Sequence, residues 1–590
     1  MLLTLCLMLP ICALGSQNAL AATKWVSAWT TGIVNGGVNI SGINLQDIIP
    51  SRSTVRTELT VMTGGESLRF RFSNQYGSAP IRISEAAVAK TDTSAAARIV
   101  EDTITAIRFH GEDYVDIPAG EAVWSDAVRF SVEAFEKISV SLFFENLTYI
   151  TTTGLSNGKS FLSPGSILLG TTSKVSSPSL SGVTEMNIGS GSITYHTIPF
   201  LCGIDARTSD PDACAAVFIG DSTLVNDTHY NYALKASAAG AKNISVVNQA
   251  IIGNKLLSNG TGLIGKLYGD AMLDRFDRDV LGVSGVKYCF VKIGLNDILH
   301  QYTKSMQADT PKHSAQDIIN GYKKLIEKAH SNGINIYFFS KTPWNGYERS
   351  FLGQTGDLTW NAEAQSMCDE LDKWLKSENG SDGFIDCSEL ASPADKTRLC
   401  PSFTTDGAHL TSLGSIALAD LIPLEYVGLK SKGAKTVAEI MRVDPYVEKR
   451  KIEYDMKHKP AEPTTVTPEE PATAAPEVPT TAAPLVPDVP TTNAPATQTV
   501  PYVPTTSTTV PFVTNPYVPS TEVYTKVTPT NVHDYTINYS DASEINYVVS
   551  DEDIDVIGTD APVGFILLLF SSIVASAAIV ILTIGKKKEF

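Results

Sequence analysis

The chain has 590 residues, which is too long for one ordinary domain and implies two or three with extensions. A hydrophobic content of 43% is enough for real cores, while a formal net charge of −17 argues against nucleic acid as a partner, because phosphate neutralisation needs a basic face. The composition excludes neither an enzyme nor a binding protein.

Residues 1–21 have an apolar centre and end in Ala19-Leu20-Ala21, an A-x-A cleavage pattern. They lack a basic n-region, yet the stretch reads as a signal peptide cleaved near Ala21 or Ala22. From Trp25 to about Phe200 the signals are short strands separated by turn residues. Ser67-Leu68-Arg69-Phe70-Arg71-Phe72 alternates, sending Leu68, Phe70 and Phe72 to one face, and Ile138-Ser139-Val140-Ser141-Leu142 repeats the period of two. Ile117-Pro118-Ala119-Gly120 reads as a turn. No long helical pattern intervenes, so residues 25–200 are expected to form an antiparallel β-sandwich of jelly-roll type.

Past Cys202 the pattern becomes alternating strands and helices, and residues 201–430 read as a second domain. Strands are expected at Ala215–Ile219, Ile244–Val247, Lys287–Ile293 and Ile334–Ser340. A helix is expected over about Ala315–Ser331, with Ser314 as N-cap, Asp317 in its first turn and Gly333 past its end. Another runs from about Trp360 to Lys376. Such alternation implies an α/β fold, a doubly wound parallel sheet covered on both faces.

Residues 431–459 are charged and read as a linker with some helical character. From 460 to 562 the chain is first rich in Pro, Thr, Ala and Val, with Val-Pro-Thr-Thr at 478–481, 489–492 and 503–506, and then acidic. A segment of this kind buries too little apolar surface to fold. In polyproline II, at about 3.1 Å per residue, the Pro/Thr part could reach on the order of 200 Å as a stalk. The apolar run at 563–585 is long enough to span a bilayer as a transmembrane helix, and Lys586-Lys587-Lys588 just after it places 586–590 on the cytoplasmic side. The expectation is a secreted protein anchored at the cell surface. A wall-sorting signal is the alternative reading of the tail, although Ile557-Gly558-Thr559-Asp560 lacks the Leu-Pro-x-Thr-Gly pattern.

Six of the eight cysteines follow the leader, and Cys202–Cys214 and Cys387–Cys400 are the nearest pairs in sequence. An oxidising exterior permits disulfides, but the sequence does not fix their connectivity. Neither C-x-x-C nor H-E-x-x-H spacing occurs, so no metal or other cofactor is expected.

Four separated blocks fall at strand ends of the second domain: Gly220-Asp221-Ser222, the turn Asn248 to Asn254, Gly294-Leu295-Asn296-Asp297, and Asp406-Gly407-Ala408-His409. Chemically they complete one another. A serine hydroxyl needs a base to become a nucleophile, which His409 can supply, and Asp406 can fix the tautomer of that imidazole. The oxyanion formed by attack on an acyl carbon needs preorganised donors, and the N–H groups of Ser222 and Gly253 with the side-chain amide of Asn296 are suitable. Glycine at 253 lets the backbone approach closely.

The set resembles the SGNH (GDSL-type) hydrolase superfamily, whose blocks occur here in the family's order. The resemblance extends to a bacterial secreted subgroup with an N-terminal β-sandwich, through Trp25-Val26-Ser27-Ala28-Trp29, Ser67 to Gly77, Arg275-Phe276-Asp277-Arg278-Asp279-Val280-Leu281 and Ala329-His330-Ser331-Asn332-Gly333. It covers about 25–429 and implies a flavodoxin-like sheet with Ser222, Asp406 and His409 catalytic and Ser222, Gly253 and Asn296 around the oxyanion. Where that subgroup continues Asp-Ser-Ile-Thr-x-Gly, this chain has Asp221-Ser222-Thr223-Leu224-Val225-Asn226, which bears on substrate size more than on reaction type. The expected activity is a cell-surface serine esterase acting on carboxylic esters, with an acylated carbohydrate as the substrate class. A lipase, and a catalytically silent adhesin, are the alternatives. Trp344 and Tyr347 are read either as pocket or as core, and His229, His300 and His330 as packing or surface residues. The oligomeric state is not legible.

Overall fold

A computed structural model describes residues 23–458, apart from short internal stretches of which 164–174 is the longest, together with two short strands near the C-terminus. The expected leader, the stalk with its acidic segment, and the basic tail lie outside the described residues.

The main N-terminal strands are β1 (Lys24–Thr30), β2 (Ser53–Thr60), β3 (Ser67–Ser73), β4 (Glu85–Lys90), β5 (Thr105–Ile107), β6 (Ala122–Trp124), β7 (Lys137–Phe144), β8 (Gly158–Ser163), β9 (Thr184–Glu185) and β10 (Leu201–Thr208). They form two antiparallel sheets, ordered β1-β10-β3-β6 and β5-β4-β7-β2-β8-β9. The alternation read from sequence is realised: Leu68, Phe70 and Phe72 of β3 are buried, and they share one apolar core with Val55 of β2 and with Ile138, Val140 and Leu142 of β7. Strand β10 pairs with β1 and β3, so the N-terminal sheets extend to Thr208 and not to 200. Its apolar positions Leu201, Ile204 and Ala206 complete the same core.

The second half is built on a five-stranded parallel sheet of β11 (Cys214–Gly220), β12 (Ile244–Asn248), β13 (Val286–Lys292), β14 (Asn335–Phe339) and β15 (Gly383–Ile385), in the order β12-β11-β13-β14-β15. Strand β11 is buried at every position, as a central strand covered on both faces must be. The helices are α1 (Thr228–Ala238), α2 (Met272–Phe276), α3 (Leu295–Tyr302), α4 (Ala315–Ser331), α5 (Ala362–Leu375) and α6 (Ser412–Leu421). The step from β11 to β12 runs one way along the sheet and all later steps run the other way. Right-handed crossovers therefore put α1 on one face and α2, α4 and α5 on the other. The packing agrees: α1 meets α6, and α4 meets α2 and α5. The reversal falls at β11, where ligands of such sheets gather at the carboxyl ends of the strands.

One expectation, that of the tail, needs correction, and two open readings are filled in. Residues 431–459 carry the expected helical character as α7 (Val437–Met441) and α8 (Val447–Lys457). A capping box between Thr436 and Glu439 starts α7, Val437 is fully buried, and Asp420 accepts the Val437 amide at 2.6 Å. All six cysteines past the leader are free thiols, and burial pushes those of Cys202 and Cys387 up to about 11. The helix expected at 563–585 is not seen. Its described residues, Ile566–Phe570 and Ala577–Ile581, form an antiparallel pair, and no helix among the described residues is long and apolar enough to cross a membrane. Rich in Ile, Leu and Val and interrupted by Ser571-Ser572, the run suits strands as well as a helix.

The N-terminal sheets are fastened to the parallel sheet. Val26 and Met62 enter the core of the second half, the Ser27 amide donates to Ser284 O at 2.9 Å, and Ser284 Oγ donates to buried Asp205 at 2.6 Å.

Candidate active site

Ser222 stands one residue past the turn that ends β11 and opens a short 3-10 turn, Ser222–Leu224. Asp221 caps this turn, accepting from the Thr223 amide at 2.9 Å and the Thr223 hydroxyl at 2.6 Å. The same hydroxyl is held by Lys292 Nζ at 2.6 Å, from the end of the neighbouring strand β13. Lys292 is fully buried, and burial lowers its affinity for the proton. Its place beside Gly220 is fixed by register, since Gly220 pairs with Lys292 and a Cβ at 220 would lie 2.4 Å from Lys292 O.

The loop after β15 brings His409 over this turn. His409 Nε2 lies 2.8 Å from Ser222 Oγ, and His409 Nδ1 lies 2.6 Å from Asp406 Oδ2. The other carboxylate oxygen of Asp406 accepts the amides of Ala408 and His409 at 3.0 and 2.9 Å. Burial works against this charge, but the hydrogen bond from His409, the charge of that ring and the two amides together bring the carboxyl down to about 2. An ionised carboxylate can only accept, so Nδ1 carries the ring proton and Nε2 is left to accept from the Ser222 hydroxyl. Tyr347 stands edge-on to the His409 ring, with centroids 5.5 Å apart, and Gly407, at φ +96°, passes so close to Gly346 and Tyr347 that a side chain would clash. Trp344 is buried in the core of the second half.

The remaining two residues sit on a loop tied to the nucleophile strand. The Ile251 amide donates to Gly220 O at 3.1 Å, and the Gln249 amide to Phe218 O at 2.7 Å. Gly253 has φ +63°, and a Cβ there would lie 2.2 Å from the Tyr268 ring, so glycine is required twice over. Asn296, in the first turn of α3, donates from Nδ2 to Asn254 O at 3.0 Å and keeps a second amide hydrogen. The structure thus joins Ser222, His409 and Asp406 by direct hydrogen bonds, and joins Gly253 and Asn296 through Asn254.

Sequence reasoning passed over the residues that hold this frame. Arg275, fully buried on α2, donates to Gly220 O at 3.1 Å, to Gln249 O at 2.8 Å and to the Asn254 side chain at 2.9 and 3.0 Å, with Asp279 as its counter-ion at 2.9 Å. Asp297 accepts the amides of Leu256 and Leu257 at 2.8 and 3.0 Å and fixes the loop just past Gly253. The available signal was ionisable residues in apolar surroundings, which must find partners. Of the histidines, His229 and His300 are buried, and His330 pairs with Asp382 at 2.9 Å. Among the described residues no cluster of His, Cys, Asp or Glu is arranged to hold a metal ion.

Residues 207–422 match the family model for the GDSL-like lipase/acylhydrolase. This segment is a GDSL-type hydrolase domain. No curated protein matches the chain in sequence. Among solved structures the chain is similar to a GDSL-like lipase from Bacteroides thetaiotaomicron, at 17% identity over 35% of this chain and 82% of that one, with a TM-score of 0.24. It is also similar to an acetylxylan esterase from Geobacillus stearothermophilus, at 17% identity over 37% and 94%, with a TM-score of 0.27. A further acetyl xylan esterase aligns at 19% identity over 35% and 96%, with a TM-score of 0.26. The GDSL-type domain takes in Ser222, the Asn254 loop, Asn296 and the Asp406–His409 turn.

Proposed function

We propose that the GDSL-type hydrolase domain is a serine esterase in which Ser222, His409 and Asp406 form the catalytic triad. The observation that carries this reading is the unbroken run of hydrogen bonds from Asp406 through His409 to Ser222 Oγ. As Ser222 Oγ attacks the acyl carbon, its proton passes to His409 Nε2. The resulting imidazolium is stabilised by Asp406, and the same proton then leaves with the departing alcohol. Water repeats the sequence on the acyl-enzyme and regenerates the hydroxyl. The N–H groups of Ser222 and Gly253 and the free amide hydrogen of Asn296 are the donors for the oxyanion.

The substrate class we assign is an acylated carbohydrate. None of the large apolar side chains exposed among the described residues belongs to the segments carrying the triad or the oxyanion donors, which favours a small acyl group on a polar alcohol over a lipid chain. The N-terminal sheets are read as the two layers of a sandwich, supported by their shared core. The leader pattern and the Pro/Thr stalk support export and exposure at the cell surface. Biotinylation of intact cells expressing the full chain should label it, and a wholly internal protein contradicts that location.

The esterase reading is tested with p-nitrophenyl acetate. The full chain should release p-nitrophenol, and Ser222→Ala should lower kcat on the order of 10⁴-fold or more. Equal release by both proteins would favour the adhesin.

A further inference from the structure

Between the N-terminal sheets and the segment that follows the nucleophile lies a cavity of about 550 Å³, within the range of small-molecule sites. One wall comes from the N-terminal half, with Thr60, Ser156, Asn157 and Lys159. The other is the run Val225 to Tyr230, entering and beginning α1. Val225 is three residues from Ser222, so its Cα lies within about 11 Å of that of the nucleophile.

Several independent features mark this cavity as a built site. Ser156 is 8% exposed, and its buried hydroxyl has no hydrogen-bond partner, which leaves it to be satisfied by a ligand. His229 is buried and makes its contacts through Nδ1, to Asn226 O at 3.2 Å and to the Asn248 side chain at 3.3 Å, which leaves Nε2 without a protein partner. Burial pushes this imidazole down to about 4, so near neutral pH it offers an uncharged ring nitrogen. Asn157 is held in the left-handed region at φ +73°, with its amide donating to Thr30 O at 2.8 Å and Asn248 O at 3.0 Å across the junction. Asparagine adopts this conformation readily, and here it aims the amide across the junction.

The chemistry of the walls selects the ligand. Lys137 and Lys159 are balanced by Glu58 and Asp227, so the cavity has no net preference for an ion. Amide, hydroxyl and imidazole groups alternate with the half-buried ring of Tyr230, which packs edge-on to Phe135. Mixed donors and acceptors beside an aromatic ring, without net charge, suit the hydroxyl groups and apolar face of a sugar. We propose that this cavity binds the neutral sugar chain of an acylated polysaccharide, holding the units that flank the acylated one. The inference rests on the esterase reading for its purpose, but the binding it describes does not require turnover.

The test uses the full chain titrated by calorimetry with xylotetraose and with cellotetraose, alongside turnover of p-nitrophenyl acetate, acetylated xylose and acetylated xylotetraose. Thr60→Trp fills the cavity from the N-terminal wall, and Lys159→Ala removes an exposed donor from a residue whose loss leaves the core intact. The wild type should bind at least one tetraose and show a KM for the acetylated tetraose about tenfold or more below that for acetylated xylose. Thr60→Trp should abolish the binding and the KM gap, and Lys159→Ala should weaken binding severalfold, with p-nitrophenyl acetate turnover reporting the chemistry separately. Failure of the wild type to bind either tetraose, or undiminished binding by both variants, overturns the subsite. Tetraose binding without turnover of any ester would keep the subsite and overturn the esterase reading.

Discussion

Asp406 sets the terms at the residue scale. Its carboxyl titrates near 2 in the folded protein, below the ordinary carboxylate value near 4. The stability it contributes is therefore fully present above about pH 4 and is lost as the pH falls through the folded value near 2. The difference in urea midpoint between the wild type and Asp406→Asn should be fully present at about pH 4.5 and close between about 4 and 2. A difference that instead closed near neutrality would contradict the assignment. Asp406→Asn should also lower kcat on the order of 10³-fold by leaving the imidazole in the wrong tautomer. Lys292 gives a second case. It touches Thr223 and not the reacting atoms, so Lys292→Met should lower kcat roughly tenfold or more through the slackened Asp221 cap and leave KM nearly unchanged. Ser222, His409 and Asp406 were legible in the sequence because their chemistry is interdependent. Arg275 and Lys292 were not, because a buried ion declares its purpose only when the carbonyls and hydroxyls it serves come from distant segments.

Among the elements, helix α4 was legible to the residue because its ends are chemically marked. Ser314 and Asp317 form a capping box, and Gly333 takes φ +67° past the C-terminus. Ser314→Ala should cost about 1 kcal/mol in urea unfolding and leave esterase turnover unchanged. An undiminished midpoint would mean that the cap is dispensable. Helices α1 and α6 escaped the sequence reading for a physical reason. Their shared interface is partly polar, with Asn231 donating to Ser415 Oγ at 3.2 Å and Lys235 Nζ donating to Asp420 O and Ile422 O at 2.9 Å each, so α1 shows no clean apolar stripe. Strand β15 is three residues long, too short to carry a period.

For the molecule as a whole, the N-terminal sheets and the parallel sheet share packing through Val26 and Met62 and hydrogen bonds through Ser27, Thr30, Asn157 and Ser284. Cutting the chain at 208 would expose those apolar contacts and leave Ser284 O and Asn248 O without their partners. Calorimetry of the full chain should therefore show the two halves unfolding in one transition, and two well-separated transitions would contradict the coupling. The sequence marked the change from strands to alternating elements but put it at 201. The period-two run of β10 sits directly before β11, and only pairing with β1 and β3 shows to which sheet it belongs.

The account stands on the joining of residues 187 positions apart into one proton path. Labelling the full chain with a fluorophosphonate and mapping the adduct by mass spectrometry tests this most directly. The adduct should form on Ser222 alone, and at a rate lowered by orders of magnitude in His409→Ala. An adduct on another residue, or labelling of Ser222 at the same rate without His409, would contradict it.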